Sequence, residues 1–181
     1  MLTISFCIIL AIITIDQLLK IFLFDSSFVY IKNFLENYPI YNDGAAFSIL
    51  SGQQVFFIVF TIIICILLFY LLISNRASSN GFFKYSLAVL LGGVIGNLID
   101  RYFFEAVRDF WYVVPFNFVC NFADVAICVG TVMICVYIIF IHDKYKAKEK
   151  MAKLSLTSET KEDKEERVVD ASVSENTPKE G

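Results

Sequence analysis

Histidine is almost missing from this chain: its 181 residues hold one, His142, at the end of an apolar run. A Ser or Cys nucleophile activated by imidazole needs a histidine beside it. Triad hydrolysis is therefore not expected, with His142 on the wrong side for the polar residues discussed below. The five cysteines are an odd number with no CxxC pair and no His–Cys spacing. Cys7, Cys65, Cys128 and Cys135 lie inside apolar runs, where cysteine behaves as a small hydrophobe; Cys120 is expected in a loop. Neither a disulfide framework nor a transition-metal site is expected. No Gly-rich phosphate loop follows a strand. Charge is scarce too: residues 1–142 carry six basic and eight acidic side chains, and the last 39 positions carry the other nine and ten. The net charge of −3 describes neither part.

Apolar residues are abundant, at 57% with mean hydropathy +0.67. Soluble domains sit nearer 45–50%, so the membrane class is favoured. Four runs are long enough to span a ~30 Å hydrocarbon core as helices: about 2–24, 55–73, 82–99 and 122–141. The first is a poor cleaved signal peptide, because it lacks a basic start and a small-residue cleavage site and contains Asp16 and Lys20. Arg76 and Lys84 flank the loop between the second and third runs, and Lys144, Lys146, Lys148, Lys150 and Lys153 follow the fourth. Lys/Arg in short loops mark the cytoplasmic side. Both termini are thus expected inside, with residues 25–54 and 100–121 outside. FVYIKNF and YPIYND in the first outer loop predict a small strand element on the outer surface. The polar tail predicts disorder, with its lysines near anionic headgroups. The expected fold is an all-α membrane protein: four transmembrane helices over residues 1–141, a small extracytoplasmic β element, and a disordered cytoplasmic tail over 142–181.

Ionisable side chains at membrane depth are costly and usually face the protein interior. Asp16 and Lys20 share a face at i,i+4, which predicts a helix-stabilising ion pair with Lys20 snorkelling outward, or an Asp16 that braces a site. In the third helix, Gly92 and Gly96 lead to Asp100, while Gly93 and Asn97 lead to Arg101. The glycines predict close helix packing; Asn97 and Arg101, two polar groups on one face, predict a lined pocket. Asn121-Phe122-Ala123-Asp124 predicts an N-cap and capping box opening the fourth helix. A carboxylate there also complements the helix dipole. Asp109 stands in VRDFW, an aromatic-rich return toward the membrane.

With imidazole, metal and phosphate-loop chemistry set aside, carboxylates at the outer ends of helices three and four remain. Two nearby carboxylates share a proton, so that one activates water while the other protonates a carbonyl or leaving amine. This chemistry needs no cofactor. Spacing leaves open whether the pair is Asp109/Asp124 or Asp100/Asp124.

Five blocks in order resemble the bacterial lipoprotein signal peptidases (signal peptidase II): DQLLK at 16–20, NDGAAFS at 42–48, GGVIGNLIDR at 92–101, VRDF at 107–110 and NFAD at 121–124. The resemblance implies an intramembrane aspartyl endopeptidase of the bacterial cytoplasmic (inner) membrane. It would remove the signal peptide of a prolipoprotein by cutting before a diacylglyceryl-modified cysteine. By position, Asp109 and Asp124 match the catalytic pair. Asn97, Arg101 and Asn121 match residues lining the site, Asn42, Gly44 and Ala45 a conformationally important outer segment whose Asn42 and Gly44 join the substrate-binding set, and Asp16 and Lys20 its support; Asp100 matches a structural position. The implied partners are the lipidated signal peptide, membrane lipid and the cyclic peptide inhibitor globomycin. A monomer is expected, with no cofactor, metal or nucleic acid.

Three departures stand out. Relatives usually carry a small apolar residue where Arg108 stands, often Gly in the turn after Arg101 where this chain reads YFFEAV, and often Ser where Val125 stands. A guanidinium next to Asp109 is expected to favour its ionised form. The rival class is a non-enzymatic four-helix transporter or assembly subunit lined by Asp16, Lys20, Asn97 and Arg101. The second run, with only Thr61 and Tyr70 as polar side chains, argues against a pore.

Overall fold

A backbone inside lipid must satisfy its own hydrogen bonds, so long apolar runs become helices. The computed structural model describes residues 1–44, 53–74, 80–148, 150 and 151. Its helices are α1 (Leu2–Leu23), α2 (Gln54–Ile73), α3 (Gly81–Phe104) and α4 (Phe122–Val136). Among the described residues, four helical runs are long and apolar enough to cross a membrane, the last extending over Phe122–Lys148. Met1–Tyr137 forms one compact unit. Beyond it, residues 142–148, 150 and 151 are helical, although helix was expected to stop at Ile141. Alanine and lysine are good helix formers and extend it. Residues 149 and 152–181, where disorder was expected, lie outside the described residues.

Helix α3 is the centre, and α1, α2 and α4 each pack against it. A Cβ on Gly93 would stand 2.6 Å from the Ala123 carbonyl oxygen, and one on Gly130 2.6 Å from the Leu90 nitrogen. These two contacts let α3 and α4 approach backbone to backbone. Gly92 and Gly96 face Ile12 and Asp16 of α1 instead. The small core of Ile9, Leu68, Leu72, Leu87, Ala88 and Leu91 fills the space among α1, α2 and α3. Most apolar side chains point outward, as on α2, because lipid is as apolar as a core.

Four antiparallel strands form one sheet in the order β1 (Phe28–Ile31), β2 (Leu35–Asn42), β3 (Val107–Val113), β4 (Phe118–Cys120). The first two were expected. The second pair was not: VRDFWYV breaks the apolar alternation with two charges, and the strand hides behind them. Cys120, expected in a loop, lies in β4 and is buried. Helix α3 ends with Glu105 in the left-handed region at φ 57. The chain then turns directly into β3.

Candidate active site

The register of β2 on β3 pairs Asn42 with Val107 and Ile40 with Asp109. Successive strand side chains alternate in direction, so Asp109 points one way while Arg108 and Phe110 point the other. Asp109 is 1% exposed. The Asn42 Nδ2 donates to its Oδ2 at 2.9 Å, and the Asn121 Nδ2 donates to its Oδ1 at 2.5 Å. Burial and the nearby charge of Asp124 push the Asp109 carboxyl up to about 7, against the pull of those two amide donors.

Asp124 is held by the local sequence. Asn121 is the N-cap of α4, and its side chain accepts from the Asp124 amide at 3.0 Å, while the Asp124 carboxylate accepts from the Asn121 amide at 3.1 Å. The expected capping box is present. The Asp124 Oδ1 also accepts from the Asn97 Nδ2 at 2.8 Å. Asn121 therefore touches both carboxylates, and its Nδ2 also reaches the Asn97 oxygen at 3.1 Å. The hydrogen bonds of Asp109 and Asp124 come from amides, and neither is in an ion pair among the described residues.

Both carboxylates line a cavity of about 420 Å³ with Asn42, Gly44, Asn97 and Arg101, and with Ile40, Val119 and Ile127 as apolar wall. Arg101 donates from Nη2 to the Gly44 carbonyl at 3.3 Å and lies over the Phe57 ring, and its buried Nε has no hydrogen-bond partner among the described residues. The Gly44 amide donates to Asn42 Oδ1 at 3.1 Å, which folds the segment back on itself. Ala45 lies outside the described residues. Burial and the two carboxylates push the Cys120 thiol up to about 12, which keeps it protonated.

Asp100 is not in that cavity. It is fully buried, with Lys20 at 3.1 Å and the Arg108 Nη2 at 2.8 Å. Lys20 also pairs with Asp16 at 2.8 Å and donates to the Asn97 oxygen at 3.1 Å. The expected Asp16–Lys20 pair is there, but Lys20 does not snorkel outward: both side chains are fully buried. Two inward carboxylates and the Asn97 oxygen offer more than the interface does. Asp16 reaches across to accept from the Ala123 amide at 2.9 Å, which ties α1 to the start of α4.

Arg108 corrects a second expectation. Its guanidinium turns from Asp109 to Asp100 and Gln17, so it is no counter-ion for its neighbour. Gln17, unremarked in the sequence, donates to the Gly96 carbonyl at 3.1 Å, Asp16 at 3.1 Å and Asp100 at 3.3 Å. Its spacing from Asp16 could not show this, because the partners come from α3. Among the described residues no group of three His, Cys, Asp or Glu side chains is placed to hold a metal ion.

A family model for Signal peptidase (SPase) II matches residues 8–140. This chain belongs to the signal peptidase II family. A lipoprotein signal peptidase of Listeria welshimeri is 37% identical over 147 residues, covering 77% of this chain and 94% of that one. One from Lactobacillus johnsonii is 37% identical over 142 residues, covering 75% and 91%. A bacterial membrane enzyme solved by the in meso method at 2.3 Å resolution is 33% identical with TM-score 0.69, covering 78% of this chain and 90% of that one. Membership and the four apolar helices make the chain a multi-pass membrane protease of a family that works by aspartyl chemistry.

Proposed function

We propose that Asp109 and Asp124 are the catalytic pair of a lipoprotein signal peptidase, which removes the signal peptide from a prolipoprotein before its diacylglyceryl-cysteine. The observation that carries this reading is that a buried and a half-buried carboxylate on the wall of one cavity are held by the same residue, Asn121, whose side-chain amide donates to Asp109 and whose backbone amide donates to Asp124. With one proton between them, Asp109 holds it, as its raised carboxyl favours. Asp124, ionised at the N-terminus of α4, takes a proton from a water. The resulting hydroxide adds to the scissile carbonyl, whose oxygen receives the Asp109 proton. Asp124 then protonates the leaving amine as the C–N bond breaks, and Asp109 recovers its proton from the collapsing gem-diol. General acid–base catalysis of this kind contributes ~10²–10⁴-fold.

Asn97 and Asn121 hold the two carboxylates in place. Arg101, with its unpartnered Nε, donates to a substrate backbone carbonyl. Asn42 and Gly44 close the outer wall. Asp16, Lys20 and Asp100 support the site from behind. A signal peptide is one apolar helix and packs beside α3 and α4, leaving the acyl chains in the bilayer. The lysine-rich end of the chain supports cytoplasmic termini and an active site near the outer face of the bacterial inner membrane. The enzyme acts as a monomer, and globomycin competes with the precursor for the cavity.

Purified enzyme given diacylated prolipoprotein, unlipidated precursor, and globomycin with the diacylated form tests the reading. Cleavage of the lipidated substrate alone, blocked by globomycin, is expected. Equal cleavage of both precursors would overturn the substrate assignment.

A further inference from the structure

The geometry points to Arg108 as a positioning residue, one that sets the Asp109 strand against α3 and α1 and thereby aims the Asp109 carboxylate. The inference rests on the catalytic role proposed for Asp109. Asp109 is borne on a strand, and its own two hydrogen bonds come from β2 and the cap of α4. Among the described residues its carboxylate makes no direct hydrogen bond to α3, the helix that carries Asn97 and Arg101. Arg108 supplies that tie from the opposite face. Its backbone amide donates to Asp100 Oδ2 at 2.9 Å, and its Nη2 donates to Asp100 Oδ1 at 2.8 Å. The same Nη2 donates to Gln17 Oε1 of α1 at 2.9 Å. The guanidinium carbon lies over the Phe104 ring, 4.2 Å from its centroid.

A planar fork gripping one carboxylate fixes direction as well as distance. The grip is double, through backbone and side chain of the same residue, so both the position and the rotation of β3 at Asp109 are set. Charge balance follows the same line. Asp16 and Asp100 are matched by Lys20 and Arg108, all four 7% exposed or less. That match leaves Lys20 free to hold the Asn97 oxygen, and Asn97 in turn holds Asp124. One side chain therefore acts on both proposed catalytic carboxylates without touching either, since a misplacement of about 1 Å costs ~10²-fold in rate.

The test compares kcat and KM on diacylated prolipoprotein for Arg108→Met, Asp100→Asn, the double variant and Arg108→Lys, each per folded enzyme. Arg108→Met and Asp100→Asn should each lower kcat about tenfold or more with KM within about twofold, because the cavity is intact and only the aim is lost. The double variant should be no worse than the poorer single, since both act through one contact. Arg108→Lys should recover part of kcat by keeping the charge. Wild-type kcat in folded Arg108→Met, or a double variant showing the product of the two losses, would overturn the proposal. If Arg108→Met does not accumulate, Gln17→Leu and Arg108→Lys decide: both should lower kcat at constant KM, and wild-type kcat in both would contradict it. A failure of the catalytic assignment looks different, because Asp109→Asn would then cut at the wild-type rate.

Discussion

Two pairs of aspartates, one outside the cavity and one on its wall, are treated in opposite ways. Behind the cavity, Asp16 and Asp100 meet cations, Lys20 and Arg108, at 2.8–3.1 Å. In front, Asp109 and Asp124 meet amides from Asn42, Asn97 and Asn121. A buried carboxylate that grips a cation is costly to break and serves structure. A buried carboxylate held by neutral donors beside a second one can keep a proton near neutrality, as Asp109 does at about 7. Residue type does not separate the pairs; what surrounds each one does.

The largest effect should come from unbalancing the rear pair. Lys20→Met leaves two buried carboxylates with one guanidinium and should cost about 3–5 kcal/mol, read as loss of folded yield and a lower melting temperature in detergent. Asn121→Ala strikes the front, removing the N-cap of α4 and the bridge between the carboxylates. About 1 kcal/mol of stability should go, with a fall in kcat well beyond what that destabilisation explains.

A pH series sharpens the comparison. The folded carboxyl of Asp109, at about 7, lies above its ordinary value of 3.8, so the folded protein binds the extra proton between those limits. Its contribution to stability is present in full below 3.8 and is lost as pH rises through about 7. Asp109→Asn should therefore raise the melting temperature more at pH 8 than at pH 5. Loss of that proton should also give the wild-type rate an alkaline limb near pH 7. The smallest effect should come at the turn joining rear to front. Glu105 occupies a left-handed backbone at φ 57 that favours glycine, and Glu105→Gly should stabilise the protein by up to about 1 kcal/mol with kcat unchanged.

The helices were legible because lipid demands length and apolarity and little else. The cap at Asn121 and Asp124 was legible because it is local. The rear network was not: the partners that keep Lys20 inside, Asp100 and Asn97, come from α3, far away in sequence. β3 is hidden in the sequence because Arg108 and Asp109 interrupt its pattern, and the expected role of Arg108 depends on that strand. Without the strand there was no alternation to turn Arg108 away from Asp109, so adjacency alone suggested a counter-ion. Spacing left the pairs 100/124 and 109/124 open, and the cavity, which admits only the second pair, favours it.

The most direct measurement is kcat per folded enzyme for Asp109→Asn, Asp124→Asn and Asp100→Asn side by side on a diacylated prolipoprotein. The two front variants should each lose about 10³-fold or more, on the scale of a removed acid or base. Asp100→Asn should lose far less in rate while losing more in folded yield. Wild-type rates in either front variant, or an Asp100→Asn enzyme that folds normally and cuts as poorly as they do, would contradict the division of the four aspartates into structure and chemistry.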